Sequence, residues 1–507
     1  MIRAKSNFDL LCEAMIIVEP NSKVGTFDFD RIHVAVNDGY TSTMARMPEI
    51  LDVIDHKVTL QERTNKRRQF LKKYNPFVFD DIEINGLDRS QKRYVKNLFG
   101  KESDTISISQ IKPNYFRVFA DDKIRSIYPI AQYKANTDHF TLMLDVKKEK
   151  DLFLTFGGNF SSRPINTGYV ALRYNILKSM STTLFANSYF GKYYGSVHSH
   201  LEFDFVGNVP FSIEPGFTFN RWDYFRNFAT FFEEVRPSFV VLNEKYGGVK
   251  VKFPAGNKGR LSLDMNYGQL DDDYYQTENF LALDTADKTT FNMGVVNAAY
   301  ERNTLNRKQW ANTGTFLKLN AKFVTGEETS FPGSTTALKD TTVQNHSWVV
   351  GRLEYRNYFA KMGPITLGFH LEGLASTQTF FQNYIASVIA SPSFQPIPES
   401  HTYFIQQHRA HNYAAAGMIG VLNFHRNLEL RGEVYAFNAF GKITNDDNNR
   451  AVYDFTPEQL FIASTSLIFQ SPLGPLTFSV NYYDKKAIPW SVVFNFGYLL
   501  YNKSIRD

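Results

Sequence analysis

The sequence predicts an all-β transmembrane barrel of about sixteen antiparallel strands, which follows a small α+β domain and a fragment of an α/β domain. From Leu152 onward, stretches of about ten residues alternate apolar and polar side chains, as strands that cross a bilayer do. The polar positions repeatedly carry charge. In a soluble sandwich each such charge would need a buried partner, whereas a water-filled lumen leaves it solvated. The charges therefore favour a membrane barrel over a soluble sandwich.

The two stretches between Leu467 and Tyr501 show the alternation most clearly. We expect this hairpin to close the barrel, with its last strand paired to the strand that begins at Leu152, so that no edge remains in lipid. Phe496 and Tyr498 are predicted to face lipid. The apolar positions alternate with mostly small or polar ones and are Leu476, Phe478, Val480, Tyr482, Trp490, Val492, Phe494, Phe496, Tyr498 and Leu500.

Composition excludes several other classes of protein. Aromatic residues make up 15% of the chain, with 46 Phe and 28 Tyr, which suits aromatic girdles at two membrane interfaces. No apolar run approaches the roughly 20 residues of a spanning helix, so a helical membrane protein is excluded. The net charge is +5 with scattered Lys and Arg, which gives no support to nucleic-acid binding. The single cysteine, Cys12, excludes a disulfide framework and a thiolate metal site.

The first residues lack the pattern of an export signal. The stretch MIRAKSNFDLLCEAMIIVEPNS has no basic region followed by an apolar core and a small-residue cleavage site. A barrel bound for an outer membrane needs export. We therefore expect that Met1 is not the natural start of the mature polypeptide.

Residues 1–55 carry the features of the end of an α/β domain. One strand and two helices cannot bury a core alone, so a fragment of a larger domain is predicted. The order of features resembles the C-terminal tail of patatin-like phospholipase domains. These features are a strand at Met15–Val18, Glu19-Pro20, Phe27-Asp28-Phe29-Asp30, a helix from Arg31 to Val36 and a helix-end turn at Asp38-Gly39-Tyr40.

The catalytic motifs of that family are missing from the sequence. The resemblance implies a Ser-Asp dyad, with the serine in a Gly-x-Ser-x-Gly elbow and the aspartate in an Asp-Gly pair. No Gly-x-Ser-x-Gly occurs in the 507 residues, and Asp38-Gly39 follows the place of the family's base. We therefore expect no hydrolase activity, no catalytic residue, no cofactor and no metal site in this chain.

Two segments separate this fragment from the barrel. Residues 56–73 are strongly basic and are predicted to form a solvated helix or linker, with contact to anionic lipid heads as the alternative. Residues 74–149 show the order strand, helix, helix, strand, strand, which opens with Ile82-Glu83-Ile84-Asn85-Gly86-Leu87. This order resembles a POTRA domain, the periplasmic module that precedes surface-antigen barrels. A generic small α+β domain is the alternative. Residues 150–507 form the predicted barrel.

The predicted connections alternate between short turns and long polar loops, as outer-membrane barrels require. Short turns are predicted at Pro164–Thr167 and Ser471–Pro475. Long loops are predicted at Asp271–Lys288, Gly326–Val343 and Asn445–Phe455. Asp271, Asp272 and Asp273 have a spacing that lacks a calcium cage, so a hydrated loop is predicted there.

The longest predicted loop, from about Ser376 to Ala416, contains Arg409, Ala410 and His411. Surface-antigen barrels of the insertase superfamily carry an Arg-Gly-Phe/Tyr motif on a loop that folds into the lumen. Arg409-Ala410-His411 resembles the form in patatin-linked members. The resemblance implies that the arginine meets an acidic residue of the inner wall. We predict Glu433 or Glu429 as that partner, since an arginine forks readily onto a carboxylate. A solvated loop arginine is the alternative.

These observations lead to one main hypothesis and two alternatives. The main hypothesis is a Gram-negative outer-membrane barrel with a POTRA domain that anchors or displays a patatin-like phospholipase domain, whose catalytic part is missing. The alternatives are a barrel for assembly or secretion of outer-membrane proteins and a passive pore. The resemblance implies a POTRA domain and N-terminal remnant in the periplasm, and contact with outer-membrane lipids. It leaves open a homodimer or a separately encoded hydrolase part as partner.

Overall fold

The chain forms two compact units, one of residues 1–78 with 134–139 and one of residues 79–133 with 140–507. The computed structural model describes residues 15–22, 24–25, 28–54, 58–72, 77–99, 105–207, 209–225, 238–277, 280–281, 283–336, 339–486 and 488–506. Cys12 and the start of the chain lie outside the described residues. None of the helices in the described ranges is both long and apolar enough to cross a membrane.

The first unit contains three helices, α1 (Ile32–Ala45), α2 (Met47–Val53) and α3 (Leu60–Leu71). None of their described side chains is buried. Helix α3 begins at a capping box, in which Thr59 and Glu62 each bind the other's backbone N–H. The basic segment thus contains a helix, and its solvation stays a prediction.

The prediction for the preceding segment was wrong in two places. Helix α1 runs through Asp38-Gly39 instead of ending there, and the hydroxyl groups of Thr41 and Thr43 donate back to Asn37 O and Gly39 O within it. Residues 15–18 form no strand. A single glycine costs a helix only about 1 kcal/mol, which its neighbours offset. The patatin-like origin of these residues stays a prediction.

An α+β module follows in the order strand, helix, strand, helix, strand, strand, which differs from the predicted strand, helix, helix, strand, strand by a two-residue strand between the helices. The sheet order is β2-β1-β4-β3, and β1 and β4 are parallel. Val95, Val118 and Leu144 are fully buried at the centre of its core. Gly86 ends the first strand with φ +83°, and a Cβ there would lie 2.3 Å from Val146 O, so the turn requires glycine. The elements are β1 (Val78–Asn85), α4 (Arg89–Phe99), β2 (Ile106–Ser107), α5 (Ile108–Phe119), β3 (Ile124–Lys134) and β4 (His139–Lys148).

The remaining residues form a closed barrel of sixteen strands, which confirms the predicted fold class. Every neighbouring pair in the barrel is antiparallel. A small hairpin, β18 (Lys442–Asn445) and β19 (Ala451–Asp454), lies outside the barrel sheet. The barrel strands are β5 (Leu152–Ser161), β6 (Thr167–Leu177), β7 (Ser181–Gly191), β8 (Tyr194–Phe205), β9 (Phe211–Phe225), β10 (Ser238–Ala255), β11 (Gly259–Tyr274), β12 (Asp287–Asn303), β13 (Thr315–Phe331), β14 (Thr342–Met362), β15 (Ile365–Ser376), β16 (Tyr413–His425), β17 (Leu428–Ala439), β20 (Gln459–Ser471), β21 (Gly474–Tyr483) and β22 (Trp490–Gly497).

The two faces of the barrel wall follow the predicted alternation. In β21, Phe478 is 50% exposed on the outside, whereas Thr477, Ser479 and Asn481 are buried on the inside. The prediction that the lumen side chains are solvated was therefore only partly right. A loop and a terminal segment fill much of the lumen, and many inner charges are buried and paired instead of hydrated.

Several strands extend beyond their predicted ends. Strand β11 continues to Tyr274, so the aspartates of the predicted Asp271–Lys288 loop belong to a strand, and Asp272 points inward, 5% exposed. Strand β13 likewise continues to Phe331, within the predicted loop Gly326–Val343. Backbone pairing satisfies main-chain groups whatever the side chains are, so polar residues continue a ladder that polarity alone would end.

Candidate functional site: the barrel seam and the lumen

The barrel closes through a short seam between its first and last strands. Only three residue pairs join β5 to β22, namely Ser161 with Asn495, Phe160 with Phe496 and Asn159 with Gly497. By contrast, seven pairs join β21 to β22 and eight join β5 to β6. The predicted closure between the first and last strands is thus present but is limited to the end of β5 that is remote from Leu152.

Most of strand β5 has a free edge on the seam side. Residues 152–158 pair with β6 but not with β22. Leu154 is 56% exposed and Phe156 is 75% exposed. A strand edge presents backbone N–H and C=O groups that can pair with another strand. The seam therefore combines an unpaired backbone ladder with apolar side chains.

Gly497 determines where the last strand leaves the seam. Its φ is +103°, and a Cβ at this position would lie 2.2 Å from Gly158 O. Only glycine combines this left-handed conformation with such a close approach. Tyr498, predicted as a lipid-facing strand residue, lies beyond the end of β22, and Leu499 is already buried. The alternation of apolar residues continued past Gly497 in the sequence, but the strand did not.

Residues 498–506, which we call the lumen segment, turn into the barrel interior. The backbone of Leu499 is bound on both sides by Gln309, whose Nε2 donates to Leu499 O at 2.5 Å and whose Oε1 accepts from Leu499 N at 3.2 Å. Ile505 is 5% exposed and belongs to the main core cluster of the barrel. The lumen segment is therefore packed against the barrel core and hydrogen-bonded to it.

The loop between β15 and β16, residues 377–412, also lies inside the barrel, and we call it the lumen loop. It contains a short helix, α6 (Tyr384–Ala390), which begins where Asn383 Oδ1 accepts from Ala386 N at 2.9 Å. Ile389 and Phe394 are 1% exposed and pack in the barrel core. The lumen loop is stable inside the barrel because its apolar side chains are buried in the core cluster.

The three motif residues lie together on the lumen loop, and all are buried. Arg409 Nη1 donates to Ile389 O at 3.2 Å and to Ser391 O at 3.0 Å, and its guanidinium lies 4.6 Å from the centre of the Phe404 ring. Ala410 is fully buried, and His411 Nδ1 lies 2.8 Å from Tyr453 Oη. Arg409 thus holds parts of the lumen loop together, which excludes a solvated loop arginine.

The predicted acidic partners of Arg409 are bound to other arginines. Glu429 accepts hydrogen bonds from Arg307 Nη1 at 2.9 and 3.1 Å. Glu433 forms an ion pair with Arg431 on the same strand and accepts from Tyr435 Oη at 3.1 Å. The predicted pairing of Arg409 with Glu433 or Glu429 is therefore not formed. Arg431 lies two residues from Glu433 on the same inner face and reaches it first.

Sequence reasoning missed the remaining ion pairs of the lumen. Glu372 pairs with Arg352 at 2.8 Å and accepts from Tyr413 Oη at 2.5 Å. Lys252 pairs with Glu214 at 2.8 Å and with Glu202. The only sequence signal is charge at every second residue of a strand, which does not say which strands meet.

Two groups in the described chain have the spacing of metal ligands, His200-Glu202-Glu214 and Glu354-His370-Glu372, with ligand atoms within 4.8 Å of one another. In each group a basic side chain already supplies the positive charge, Lys252 in the first and Arg352 in the second. The sequence-based expectation of no metal site stays a prediction.

A polar chamber of about 840 Å³ lies between the wall, the lumen loop and the lumen segment. Its lining includes basic residues such as Lys250, Arg260 and Lys318 and acidic residues such as Asp264 and Glu301. The lumen is therefore partly filled, with water-accessible space left on its charged side.

Comparisons with known proteins identify the fold. No protein-family model matches the chain, and no curated protein matches it. Among solved structures, BamA from Haemophilus ducreyi lacking POTRA domains 1–3 has a TM-score of 0.55 and 12% identity, over 83% of this chain and 84% of that one. CdiB from Acinetobacter baumannii (TM-score 0.49, 10% identity, 83% and 74%) and CdiB from Escherichia coli (0.46, 12%, 83% and 77%) are more distantly similar. The sixteen-strand barrel therefore has the fold of BamA.

Proposed function

We propose that this chain is an outer-membrane barrel that receives strands of other polypeptides at its seam, in the assembly or secretion of outer-membrane proteins. The free edge of β5 at residues 152–158 is the observation that carries this proposal. The similarity of the barrel fold to BamA from Haemophilus ducreyi supports this proposal. Under this proposal the barrel lies in a bacterial outer membrane and contacts its lipids, with the α+β module on the periplasmic side.

The physical argument starts from the cost of an unpaired strand edge. In hydrocarbon no water is present to bind backbone N–H and C=O groups, and each unsatisfied group costs several kcal/mol. An incoming strand that pairs with residues 152–158 would satisfy these groups on both chains, as in strand addition to a sheet edge. Leu154 and Phe156 would then contact the apolar face of that strand. The chemistry of the edge thus fits an amphipathic β-strand of an unfolded outer-membrane barrel.

The hypothesis that the chain anchors a phospholipase domain has a narrower basis. It rests on the sequence resemblance of residues 1–55, and the described part of that region contains helices without buried side chains. A passive pore is disfavoured because the lumen loop and the lumen segment both occupy the interior. Assembly or secretion is therefore the function that the geometry supports best.

Site-specific crosslinking tests the seam directly. A photoreactive amino acid at Leu154 or Phe156 is expected to crosslink an urea-unfolded outer-membrane barrel added to vesicles that contain this chain. The matched control is Phe478, which at 50% is exposed to nearly the same extent as Leu154 at 56% but lies on a strand paired on both sides. Equal crosslinking at Phe478 would show nonspecific contact and would contradict the proposal.

A disulfide lock provides the functional test. Ser161 and Asn495 face each other across the seam, and Ser162 N donates to Phe494 O beside them. They form a close, non-hydrogen-bonded pair that suits a disulfide. The oxidised S161C/N495C variant is expected to lose insertion of the client barrel and to recover it on reduction. The control lock S466C/S479C joins neighbours in β20 and β21 and should have no effect. Full insertion by the locked seam would overturn the proposal.

A further inference from the structure

The inner wall formed by β7 to β11 binds the lumen segment through the aromatic ring of Tyr501. The ring of Tyr501 lies 4.6 Å from that of Trp222 and 5.0 Å from that of Tyr194 between ring centres. Tyr194 Oη also accepts a hydrogen bond from Asn502 N at 2.9 Å. The wall therefore offers an aromatic pocket, and the Tyr194 hydroxyl at its edge accepts a hydrogen bond from a backbone N–H of the lumen segment.

The side chain of Asn502 is recognised by two neighbouring strands. It forms a reciprocal amide pair with Asn187, with distances of 2.8 and 3.0 Å, and its Nδ2 also donates to Ser196 Oγ at 2.7 Å. Asn502 donates through Nδ2 to two oxygens and accepts through Oδ1, and a side-chain amide supplies such a donor and acceptor on separate atoms. This position on the wall selects asparagine or glutamine.

Two carboxylates of the wall bind the side chains at positions 504 and 506. Ser504 Oγ donates to Glu244 Oε2 at 2.6 Å, and Arg506 Nη2 lies 2.5 Å from Asp272 Oδ1. Asp272 is 5% exposed and Glu244 is 4% exposed, so these contacts are shielded from water. Positions 502, 504 and 506 each meet a different part of the wall, and the chain turns at residues 505–506, where Arg506 N donates to Ser504 Oγ at 3.1 Å.

The wall also binds the backbone of the segment through side chains. Lys503 O accepts from Asn220 Nδ2 at 3.0 Å and from Tyr246 Oη at 2.9 Å, and outside this wall Lys322 of β13 donates from Nζ to Arg506 O at 2.8 Å. Such contacts to main-chain carbonyls are available to any extended peptide. The wall thus combines sequence-independent backbone binding with three selective positions.

We propose that the inner wall of β7 to β11 is a peptide-binding site, which residues 498–506 occupy in cis. Its ligand in trans is an extended segment of a polypeptide that carries an aromatic residue, then an amide, a hydroxyl and an arginine at alternate positions. The inference rests on the proposed function, because such a segment would belong to the client of the seam.

Occupation of the wall in cis also affects the seam. Residues 498–504 would lie opposite residues 158–152 if β22 continued in its present register past Gly497 with Asn159. Because the wall binds these residues, they are withdrawn from that edge. A covalently linked segment competes at an effective concentration in the millimolar range for a short linker, so a ligand in trans binds only when the cis contacts are weakened.

Peptide binding to charge-reversal variants of the intact chain tests this site. The probe is a fluorescent nonapeptide with the sequence of residues 498–506. Wild-type chain in detergent is expected to bind it weakly, and Arg506→Glu is expected to bind it at least about tenfold more tightly, because repulsion from Asp272 releases the cis segment. The double variant Arg506→Glu/Asp272→Arg restores the ion pair in reverse and should return binding to the wild-type level. Arg426→Glu, on an exposed turn, is the matched control.

The peptide-binding measurements are interpreted only for chains that fold. All four chains must first show the heat-dependent mobility shift of a folded barrel, and a chain without residues 498–507 serves as a second released form. No binding to either folded released form, or equal gain in Arg426→Glu, would overturn the peptide site. Crosslinking at Leu154 and Phe156 is measured separately, so loss of peptide binding with retained crosslinking refutes only this inference. Peptide binding without client crosslinking refutes the seam function.

Discussion

Arg431 and Glu433, two residues apart on the inner face of β17, form a buried ion pair in the barrel lumen. Arg431 also donates to Ala311 O at 2.6 Å and to Tyr358 Oη at 2.8 Å. Arg431 thus binds the Glu433 carboxylate, which the sequence suggested as a partner of Arg409. The arginine of the lumen loop is instead held by backbone carbonyls, so wall and loop are stabilised by separate arginines.

Replacement of Glu433 by alanine should destabilise the barrel strongly. The change leaves the Arg431 guanidinium buried without its carboxylate, and loss of one partner of a buried pair costs about 3–5 kcal/mol. The double variant E433A/R431M should recover much of this loss, because it removes the stranded charge. The temperature at which the folded band disappears in electrophoresis measures both effects. An E433A barrel as heat-resistant as wild type would contradict the role of this pair.

Replacement of Arg409 by alanine should loosen the lumen loop. It removes the hydrogen bonds to Ile389 O and Ser391 O and the contact with Phe404, and each buried carbonyl left unsatisfied costs about 1–3 kcal/mol. We expect faster proteolysis within residues 377–412 and a lower unfolding temperature. Arg426→Ala, on an exposed turn, is the control and should change neither measurement. Identical protease patterns for R409A and wild type would refute this account.

Replacement of Gly497 by alanine should disrupt the seam. The new Cβ would lie 2.2 Å from Gly158 O at a residue with φ +103°, so one of the strands must move. We expect the oxidised yield of the S161C/N495C disulfide to fall several-fold. Gly351→Ala, where a Cβ meets nothing within 4 Å, should leave that yield unchanged. An unchanged yield in G497A would show that the seam does not depend on glycine.

Replacement of Lys123 by methionine should weaken the contact between the α+β module and the barrel. Lys123 Nζ lies 3.1 Å from Asp204 at the end of β8 and 3.2 Å from Asp122 of the module. Burial acts to lower the pKa of Lys123, but Asp121, Asp204 and Asp122 outweigh it and raise the pKa above its ordinary value. Because Asp122 and Asp204 are 55% and 25% exposed, loss of the lysine is expected to cost about 1–3 kcal/mol.

The pH dependence of this contact follows from the raised pKa. A lysine whose folded pKa is raised contributes stability that is complete below its ordinary pKa and is lost as the pH rises through the raised value. The difference in urea unfolding between wild type and K123M should therefore be constant from pH 6 to about 9 and shrink only above the ordinary lysine pKa of about 10.4. A difference that already vanishes near neutral pH would contradict this assignment.

The chain is predicted to lack esterase activity. No Gly-x-Ser-x-Gly elbow occurs in its sequence, and this motif places the nucleophilic serine of the family that residues 1–55 resemble. Purified chain should not release p-nitrophenol from short-chain esters or fatty acid from phospholipid vesicles above the buffer rate. Turnover that a serine-directed phosphonate inhibits would refute the prediction.

The fold was largely predictable because strand alternation is a local property. Phe478 and Thr477 took opposite faces as their order along the chain required, and the strand order followed from consecutive hairpins. The longer elements of the α+β module were predictable for the same reason, whereas the two-residue strand β2 was missed. The contacts of the site were less predictable from the sequence. The partner of Arg409 depends on which residues are closest in space, and Glu433 is already bound to Arg431 on its own strand.

The sequence by itself determined that this chain forms a barrel, since the period of two and the outward apolar residues fix both the strands and their faces. Only the tertiary structure decided where the barrel stops being regular. Leu500 continues the alternating pattern, yet the left-handed turn at Gly497 and the polar contacts of Asn502 and Arg506 draw it inward. Those contacts join residues hundreds of positions apart, and a local pattern contains no information about such partners.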